Sequence, residues 1–380
     1  MVEIEKARNE FPHIMHGKIY FNHASTGPLC KPVLESIGKV LYEKSETNID
    51  EYSGLQSIIK ETKTDLAALI NTTPDRIAFT DNTSNGINIL ATGIKWQSGN
   101  RIILNDIEFP ANVYPFLNLK RFGVEIDLVK SRSGIVSAED IIEMIKPETR
   151  LVSVSQVQFL TGYRVDLEKI GRVCREKGII FSVDAIQGLG AVRLDIQKCN
   201  IDFLSAGSQK WLLGMQGLGF IYISEKLQED IEQSNVGWLS VEDAWDFLNY
   251  DLKLKKTAER FQGGTLNSIG IYALNASLKF FKQFGFDVIE RRVIENSVYL
   301  SHMLGQIGIS TVISNCAEKN IAGIVSFKHD DSQSIFERLS EKKIHCAVRS
   351  GFVRLSPHFY NTKEEIDRVV GELNKVKGEK

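Results

Sequence analysis

The chemistry that this sequence can support starts from one lysine. Lys210 lies in a polar stretch of small residues, LSAGSQK, between two apolar runs. Once deprotonated, its amine can form an imine with an aldehyde, and burial is the usual route to the lower pKa that this requires. A lysine taken singly is far more often a solvated surface group, so the assignment depends on the residues around it.

Asp184 and Gln187 provide groups that would suit such a lysine. They lie three residues apart at the end of the strand-like run GIIFSVDA (178–185), and both would project at the carboxyl end of that strand. A carboxylate there can pair with a protonated pyridine nitrogen, which keeps the ring of pyridoxal phosphate (PLP) an effective electron sink. On that segment alone, an aspartate that caps the next helix is the more common arrangement.

A phosphate site is indicated upstream. In IAFTDNTSNGINIL (77–90), Asn82, Thr83, Ser84 and Asn85 lie between a short strand and a helical pattern, which leaves free backbone N–H groups at the start of a helix. The hydroxyls of Thr83 and Ser84 would add two side-chain donors. An ordinary N-cap explains the same residues about equally well.

The elements that would position these groups alternate between strand and helix from about Thr62 to Val192. Short apolar runs are typical of buried strands in a parallel sheet, and helical segments such as SAEDIIEMIK, with Ser137 as its N-cap, separate them. The alternation predicts a doubly wound α/β domain. The strand-like runs include residues 101–106, 124–129, 150–157 and 178–185.

Later segments predict a second, smaller layer. After Ser224 a charged, helical region leads to RFQGGTLN and then to a long helical pattern from Ser268 to about Phe284. The run IAGIVSFKH and the segments after it fit a small α+β layer. We predict an N-terminal segment packing with the small domain (1–20), a large PLP-binding α/β domain (21–255) and a small C-terminal α+β domain (256–380).

Composition restricts the classes of partner. At 380 residues the chain exceeds the size of most single hydrophobic cores, and its net charge of -2 gives no footprint for nucleic acid or an anionic membrane. Five scattered cysteines without a CxxC pair argue against a disulfide framework and a zinc site, so we predict no metal. No signal peptide or membrane span is evident, which predicts a cytoplasmic protein.

The order of these motifs resembles the class V aminotransferase family, with its cysteine desulfurases and isopenicillin-N-epimerase-like members. The resemblance runs from YFNHASTGP (20–28) to VRLSPHFYNTKEEID (353–367), nearly the whole chain. It implies the PLP-dependent fold type I, with a large, mostly parallel, doubly wound sheet domain and a small α+β carboxyl-terminal domain. It also implies a homodimer with shared active sites.

The resemblance gives each matching residue a role around the cofactor. Lys210 would carry PLP as a Schiff base, and Asp184 would pair with the pyridine nitrogen. Gln187 would donate a hydrogen bond to the ring hydroxyl. Thr83 and Ser84 would bind the phosphate.

Other matching residues would serve the substrate and the partner subunit. Arg354 would clamp the carboxylate of the substrate with its planar fork of donors. His23, Ala24 and Ser25 belong to the N-terminal loop that would line the substrate side. Gly264 and Thr265 would reach the phosphate in the neighbouring subunit.

Four positions depart from the desulfurase pattern. Phe109 stands where desulfurases carry a histidine stacked on the cofactor ring; an aromatic ring can stack too, but a possible proton carrier is lost. Gln209 replaces a histidine beside the lysine, at a position expected to contact the cofactor, and Gly207 replaces a phosphate-binding serine. Phe159 replaces an asparagine near the ring hydroxyl. These departures favour the epimerase-like branch.

The predicted function is an aminotransferase- or epimerase-like reaction on a small amino acid through its Cα carbanion. A cysteine desulfurase or selenocysteine lyase that uses Cys346 is the first alternative, although IHCAV predicts a strand in which this thiol packs inside. A catalytically inactive binding module on the same fold is the second. A dehydrogenase is disfavoured because no G-x-G-x-x-G follows the first strand. The amino acid, the reaction type and the roles of Arg349 and His358 stay open.

Overall fold

The computed structural model describes residues 2–50 and 52–378, which form two sheets of different size and a short parallel pair. The strands, numbered along the chain, are β1 (Ile19–Tyr20), β2 (Ile77–Thr80), β3 (Arg101–Asn105), β4 (Glu125–Val129), β5 (Thr149–Ser155), β6 (Ile180–Asp184), β7 (Phe203–Gly207), β8 (Gly219–Ile223), β9 (Val325–Lys328), β10 (Ile344–His345), β11 (Ala347–Arg349) and β12 (Phe352–Leu355). Helices cover both faces of the larger sheet.

The α-helices are numbered in the same way, and short 3-10 turns join several of them. They are α1 (Val2–Asn9), α2 (Pro12–Met15), α3 (Lys31–Glu46), α4 (Ser53–Ile70), α5 (Thr83–Gly93), α6 (Tyr114–Leu117), α7 (Ala138–Glu143), α8 (Leu167–Lys177), α9 (Glu225–Asp230), α10 (Ser268–Phe284), α11 (Phe286–Gln306), α12 (Ser332–Glu341) and α13 (Lys363–Gly378). None of the helices in residues 2–50 and 52–378 is long and apolar enough to cross a bilayer.

The large sheet has seven strands in the order β2-β8-β7-β6-β5-β3-β4. Adjacent residues of β3 belong to two different hydrophobic cores, one on each face of the sheet. Ile103 packs with α4, α8 and α10 on one face, whereas Ile102 and Leu104 pack with α5 and α6 on the other. Such a strand is buried on both sides, as expected for a parallel sheet wound by helices on its two faces. The predicted doubly wound α/β fold is confirmed.

Strand direction determines where the chemistry can lie. Only β8 runs against the other strands, because β2 is antiparallel to β8 and β8 is antiparallel to β7. The strands β2, β3, β5, β6 and β7 therefore end at the same edge of the sheet. Side chains that follow these strands converge there, as in other open α/β sheets.

The small sheet has the antiparallel order β11-β12-β9, and α11, α12 and α13 pack against it. Its core also includes Ile19 and Phe21 from the N-terminal segment. That segment is held by the parallel pair β1–β10 and by a bridge between Asn22 and Ser356. The small C-terminal sheet was expected and is confirmed, whereas the division into residues 1–20, 21–255 and 256–380 stays a prediction.

Candidate active site

The buried strand β6 brings Asp184 to the carboxyl edge of the large sheet. The Asp184 carboxylate is 2% exposed and accepts a hydrogen bond from the backbone N–H of Ile186 at 3.0 Å. Burial raises the pKa of Asp184 above its usual range, and the charge of Lys210 opposes that rise. In the part of the chain that the structure describes, no cation forms a salt bridge with it. The carboxylate is therefore suited to a cationic group brought by a ligand.

Lys210 follows the end of β7 and is almost fully buried beside Asp184. Burial lowers the pKa of Lys210, Asp184 raises it, and the charges of Arg354 and Arg349 lower it further, so the net direction is downward. The lysine Nζ lies 5.4 Å from the ring centre of Phe109. A desolvated amine of this kind gains the neutral form that attacks a carbonyl carbon.

The start of α5 has the features of an anion site. The Asn82 side chain caps the helix by accepting the backbone N–H of Asn85 at 2.9 Å, so Thr83 and Ser84 are not needed as caps. The Thr83 Oγ1 atom is buried and has no hydrogen-bond partner among the described residues. A buried hydroxyl without a partner at a helix N-terminus fits a phosphate oxygen.

Nine of the twelve predicted site residues line one cavity of about 310 Å³, between the large sheet and the small one. The wall also contains Ser25, Phe159 and Arg349. Among the described residues, the cavity contains no cysteine, and no cluster of three or more metal-ligating side chains occurs. The predicted residues in its wall are Ala24, Thr83, Ser84, Phe109, Asp184, Gln187, Gln209, Lys210 and Arg354.

Arg354 approaches the cavity from β12. Its guanidinium donates to the Phe159 carbonyl and to the Ser25 Oγ, both at 2.7 Å, while its Nε has no partner among the described residues. Burial lowers the pKa of Arg354 to about 10, with a contribution from Arg349. No acidic side chain of residues 2–50 and 52–378 forms an ion pair with it. A buried arginine without a counterion, facing a cavity, is suited to bind a carboxylate.

The cavity wall that faces Lys210 is formed by two aromatic rings, and a buried carboxylate lies behind it. Phe109, which is 42% exposed, and Phe159 meet edge to face with ring centres 5.2 Å apart. The buried Glu108 accepts hydrogen bonds from the Ser155 N–H at 2.8 Å and from the Gln158 amide at 3.1 Å. It also accepts from Asn105, Asn112 and the Ser155 hydroxyl.

Glu108 was not predicted as a site residue, although its position after a strand could have indicated it. It follows the buried strand β3 by three residues, and Asp184 is the last residue of β6, so both carboxylates lie near the carboxyl ends of strands, where the site edge is.

Gln209 and Gly207, two departures from the desulfurase pattern, are structurally linked, because the missing side chain at Gly207 leaves space for the Gln209 side chain. A Cβ atom on Gly207 would lie 2.4 Å from the Gln209 Oε1, so the glutamine side chain occupies the space of a residue 207 side chain. Because Gln209 lines the cavity next to Lys210, a polar group is retained there. Its contact with a cofactor stays a prediction.

His23 does not lie where the sequence predicted. Its two ring nitrogens bond to the Ser356 carbonyl and to the Tyr360 hydroxyl, each at 2.8 Å, and the ring is fully buried and stacked on Trp211. It cannot reach a substrate without breaking both bonds. The loop turns at His23 and therefore presents Ala24 and Ser25 to the cavity instead.

Gly264 and Thr265 lie outside the Lys210 cavity. They border a separate cavity of about 580 Å³ on the other side of the α5 N-terminus, together with Asp81 and Asn85. They do not contact the Lys210 site of their own chain, and the expectation that they serve the neighbouring subunit stays a prediction.

Cys346 lies between β10 and β11 rather than within a strand, and it packs into the core beside the small sheet, as expected for a buried thiol. The thiol is 3% exposed, belongs to the same core as Ile344 and Val353, and is absent from the cavity wall. Burial raises the pKa of the Cys346 thiol to about 12. A nucleophilic thiol must be exposed and partly ionised, and this one is neither.

The sequence profile of the family described as "Aminotransferase class-V" matches residues 19–369, and the chain belongs to that family. The predicted enzyme class and the PLP cofactor are thereby confirmed.

Three relatives illustrate the range of similarity. The chain is 29% identical to a probable cysteine desulfurase of Methanothermobacter thermautotrophicus, with 98% of each chain covered. Its fold is similar to that of the apo cysteine desulfurase of Thermococcus onnurineus, with a TM-score of 0.88, 24% identity and 98% of each chain covered. It is also similar to the cystine C-S lyase C-DES in complex with cysteine persulfide, with a TM-score of 0.85, 25% identity and 94% and 97% coverage. None of these comparisons supports the predicted epimerase-like branch.

Proposed function

We propose that this chain is a PLP-dependent enzyme that cleaves the Cβ–S bond of a small sulfur-containing amino acid without a protein thiol as sulfur acceptor. The observation that carries the proposal is the cavity itself, in which Lys210 and Arg354 converge and no described cysteine is present. The names of the relatives, a desulfurase and a cystine lyase, support the choice of a sulfur amino acid. They favour it over the aminotransferase- or epimerase-like reaction expected from the sequence.

The residues fit the cofactor on structural grounds. The unpartnered Thr83 hydroxyl, together with Ser84 and the free N–H groups of α5, would hold the phosphate. The buried Asp184 carboxylate would hold the pyridine nitrogen, and the Phe109 ring would cover the face of the ring system. When bound, PLP supplies an aldehyde for an amine and a ring that withdraws electrons from Cα.

The substrate would be held at two points. The Arg354 guanidinium would bind the carboxylate, because it faces the cavity without an acidic partner. The Lys210 amine, whose pKa burial lowers, would accept the proton from Cα in its neutral form. Phe109 and Phe159 would restrict the access of water to that side of the cavity.

The location of Cys346 supports a reaction without a persulfide on the protein. Its buried thiol with a pKa of about 12 is a poor nucleophile, so the released sulfur would leave on the product. With cystine the balanced reaction is cystine and water to pyruvate, ammonia and cysteine persulfide. A cysteine desulfurase that uses Cys346 is the second candidate, favoured by the names of the relatives, and it would instead form alanine from cysteine.

A homodimer is part of the proposal. Gly264 and Thr265 would complete the phosphate site of the partner, since they border a different cavity from Lys210 in their own chain. Each active site would then contain residues of both subunits.

The test is to incubate the holoenzyme with cystine and with cysteine and to quantify pyruvate, alanine, persulfide and pyridoxamine phosphate. We expect pyruvate and cysteine persulfide in equal amounts from cystine. Cys346→Ala should retain activity, and Cys174→Ala, which removes another fully buried thiol, is the matched control. Alanine formation that disappears in Cys346→Ala alone would establish the desulfurase instead, and accumulation of pyridoxamine phosphate would establish a transaminase.

A further inference from the structure

A chain of hydrogen bonds runs from the small-sheet side of the molecule towards the cavity, and each of its bonds has only one possible direction. The Phe359 N–H donates to the Nδ1 of His358 at 2.8 Å, so this nitrogen is an acceptor. The other nitrogen, Nε2, therefore carries the hydrogen and donates to the Trp211 carbonyl at 3.1 Å. Burial lowers the pKa of His358 to about 4, which keeps the ring neutral and this arrangement intact.

The next bond fixes the orientation of Gln187. The indole N–H of Trp211 lies 3.0 Å from the Gln187 Oε1, and an indole can only donate. The amide oxygen must therefore face Trp211 and the amide nitrogen must face away. That nitrogen donates one hydrogen to the Ala24 carbonyl at 2.9 Å. Its second N–H has no other acceptor assigned among the described residues, and Gln187 lines the cavity.

The indole has no freedom to turn away from this bond. Trp211 is fully buried, and a Cβ atom on Gly323 would lie 2.1 Å from its Cη2 atom. A Cβ atom on Gly190 would lie 2.4 Å from the Trp211 carbonyl oxygen. The ring and the peptide of Trp211 are thus each packed closely against a glycine, which restricts their movement.

We propose that Trp211 and His358 are positioning residues, which hold the Gln187 amide so that its remaining N–H faces the ring hydroxyl of the bound cofactor. The inference rests on the proposed function, and it gives His358 the role that the sequence left open. Without the indole N–H, the Gln187 amide can turn, and the donor to the ring oxygen is lost for part of the time.

The test uses the visible absorbance of the holoenzyme as a function of pH. A hydrogen-bond donor to the negatively charged ring oxygen of the cofactor lowers the pKa of the nitrogen that links Lys210 to the cofactor. Trp211→Phe removes the N–H and keeps an aromatic ring, so the titration midpoint should move upward by roughly one pH unit, the value of one charge-assisted hydrogen bond. The matched control is Trp96→Phe, because the Trp96 indole donates to the Ala91 carbonyl at 2.7 Å away from the cavity. It should leave the midpoint unchanged.

A double variant separates positioning from general loosening. Gln187→Leu should give the same upward shift, and adding Trp211→Phe to it should give no further shift, since both changes remove one and the same donor. Additive shifts, or a Trp211→Phe midpoint equal to that of the wild type, would overturn the inference while leaving the proposed function intact. A wild-type protein that never binds PLP would instead contradict the proposed function.

If Trp211→Phe does not fold, the benzothienyl analogue of tryptophan at position 211 replaces the N–H with sulfur and keeps the ring shape. The same upward shift is expected, and an unchanged midpoint would again rule out the positioning role.

Discussion

Lys210 is the side chain that would carry the cofactor. The Lys210→Ala variant should still fold, because the cavity tolerates the loss of one flexible side chain. It should, however, form no borohydride-reducible adduct with PLP. Lys63→Ala is the control, since Lys63 is equally buried but its ammonium pairs with Glu259 at 2.7 Å. That variant should lose stability and still form the adduct. Stoichiometric trapping in Lys210→Ala, located by peptide mapping, would refute the assignment.

Asp184 should contribute to turnover mainly through its negative charge, and only to a small extent through its size. In Asp184→Asn the amide oxygen can still accept the Ile186 N–H, so we expect bound cofactor but a turnover lower by orders of magnitude. Asp202→Asn is a matched change at the other end of the sheet, where a mostly buried carboxylate accepts the Phe181 N–H at 2.9 Å. Its turnover should stay near that of the wild type. Near-normal rates in Asp184→Asn would limit the role of Asp184 to supporting the turn at Ile186.

At the scale of elements, Glu108 connects β3 and β5 behind the aromatic wall formed by Phe109 and Phe159. Glu108→Gln places an amide N–H₂ among groups that themselves donate, so we expect a loss of about 1–3 kcal/mol in the free energy of unfolding, measured with urea. We also expect weaker substrate binding, because Phe159 supports Arg354 through its carbonyl. Glu295→Gln, an exposed carboxylate paired with Arg292, should change the free energy of unfolding by less than about 0.5 kcal/mol. Equal effects in the two variants would contradict the role of the Glu108 network.

The local hydrophobic pattern was sufficient to predict four of the strands and the edge of the sheet at which the site lies. The runs at 101–106, 124–129, 150–157 and 178–185 match β3, β4, β5 and β6 within two residues. Ser137 is the N-cap of α7, as predicted, and it also forms a capping box with Asp140. These features depend on neighbouring residues, and so they can be predicted from the sequence.

Contacts between distant residues could not be predicted in this way. The charged region after Ser224 is helical only to Asp230, and beyond it the chain is mostly irregular and carries exposed aromatic side chains. The true surroundings of His23 depend on residues more than three hundred positions away. No local pattern in the sequence carries that information.

At the scale of the whole molecule, the exposed aromatic surface supports the proposed dimer. Trp245, Phe247 and Tyr250 are all exposed, and Trp245 contacts Trp238 and Tyr52 through their rings. A monomer rarely leaves such a patch in water. Sedimentation of the wild type should therefore give a dimer.

A mixing experiment tests whether the dimer shares its sites. Equal amounts of Lys210→Ala and Thr265→Ala subunits, allowed to exchange, should regain about a quarter of the wild-type activity, because half of the dimers then contain one intact site. The separate variants are the controls. If exchange is verified and no activity returns, the shared site is wrong.

The pairing of β1 with β10 has a consequence for synthesis of the chain. His23 bonds to the Ser356 carbonyl across 333 positions, and the adjoining Ala24 and Ser25 form part of the cavity wall. A ribosome releases the first of these residues long before the last one exists, at about 5–20 residues per second. The cofactor pocket therefore stays open on one side until translation is nearly complete. PLP should accordingly enter only after the chain has been released, so nascent chains stalled before residue 344 should not retain it.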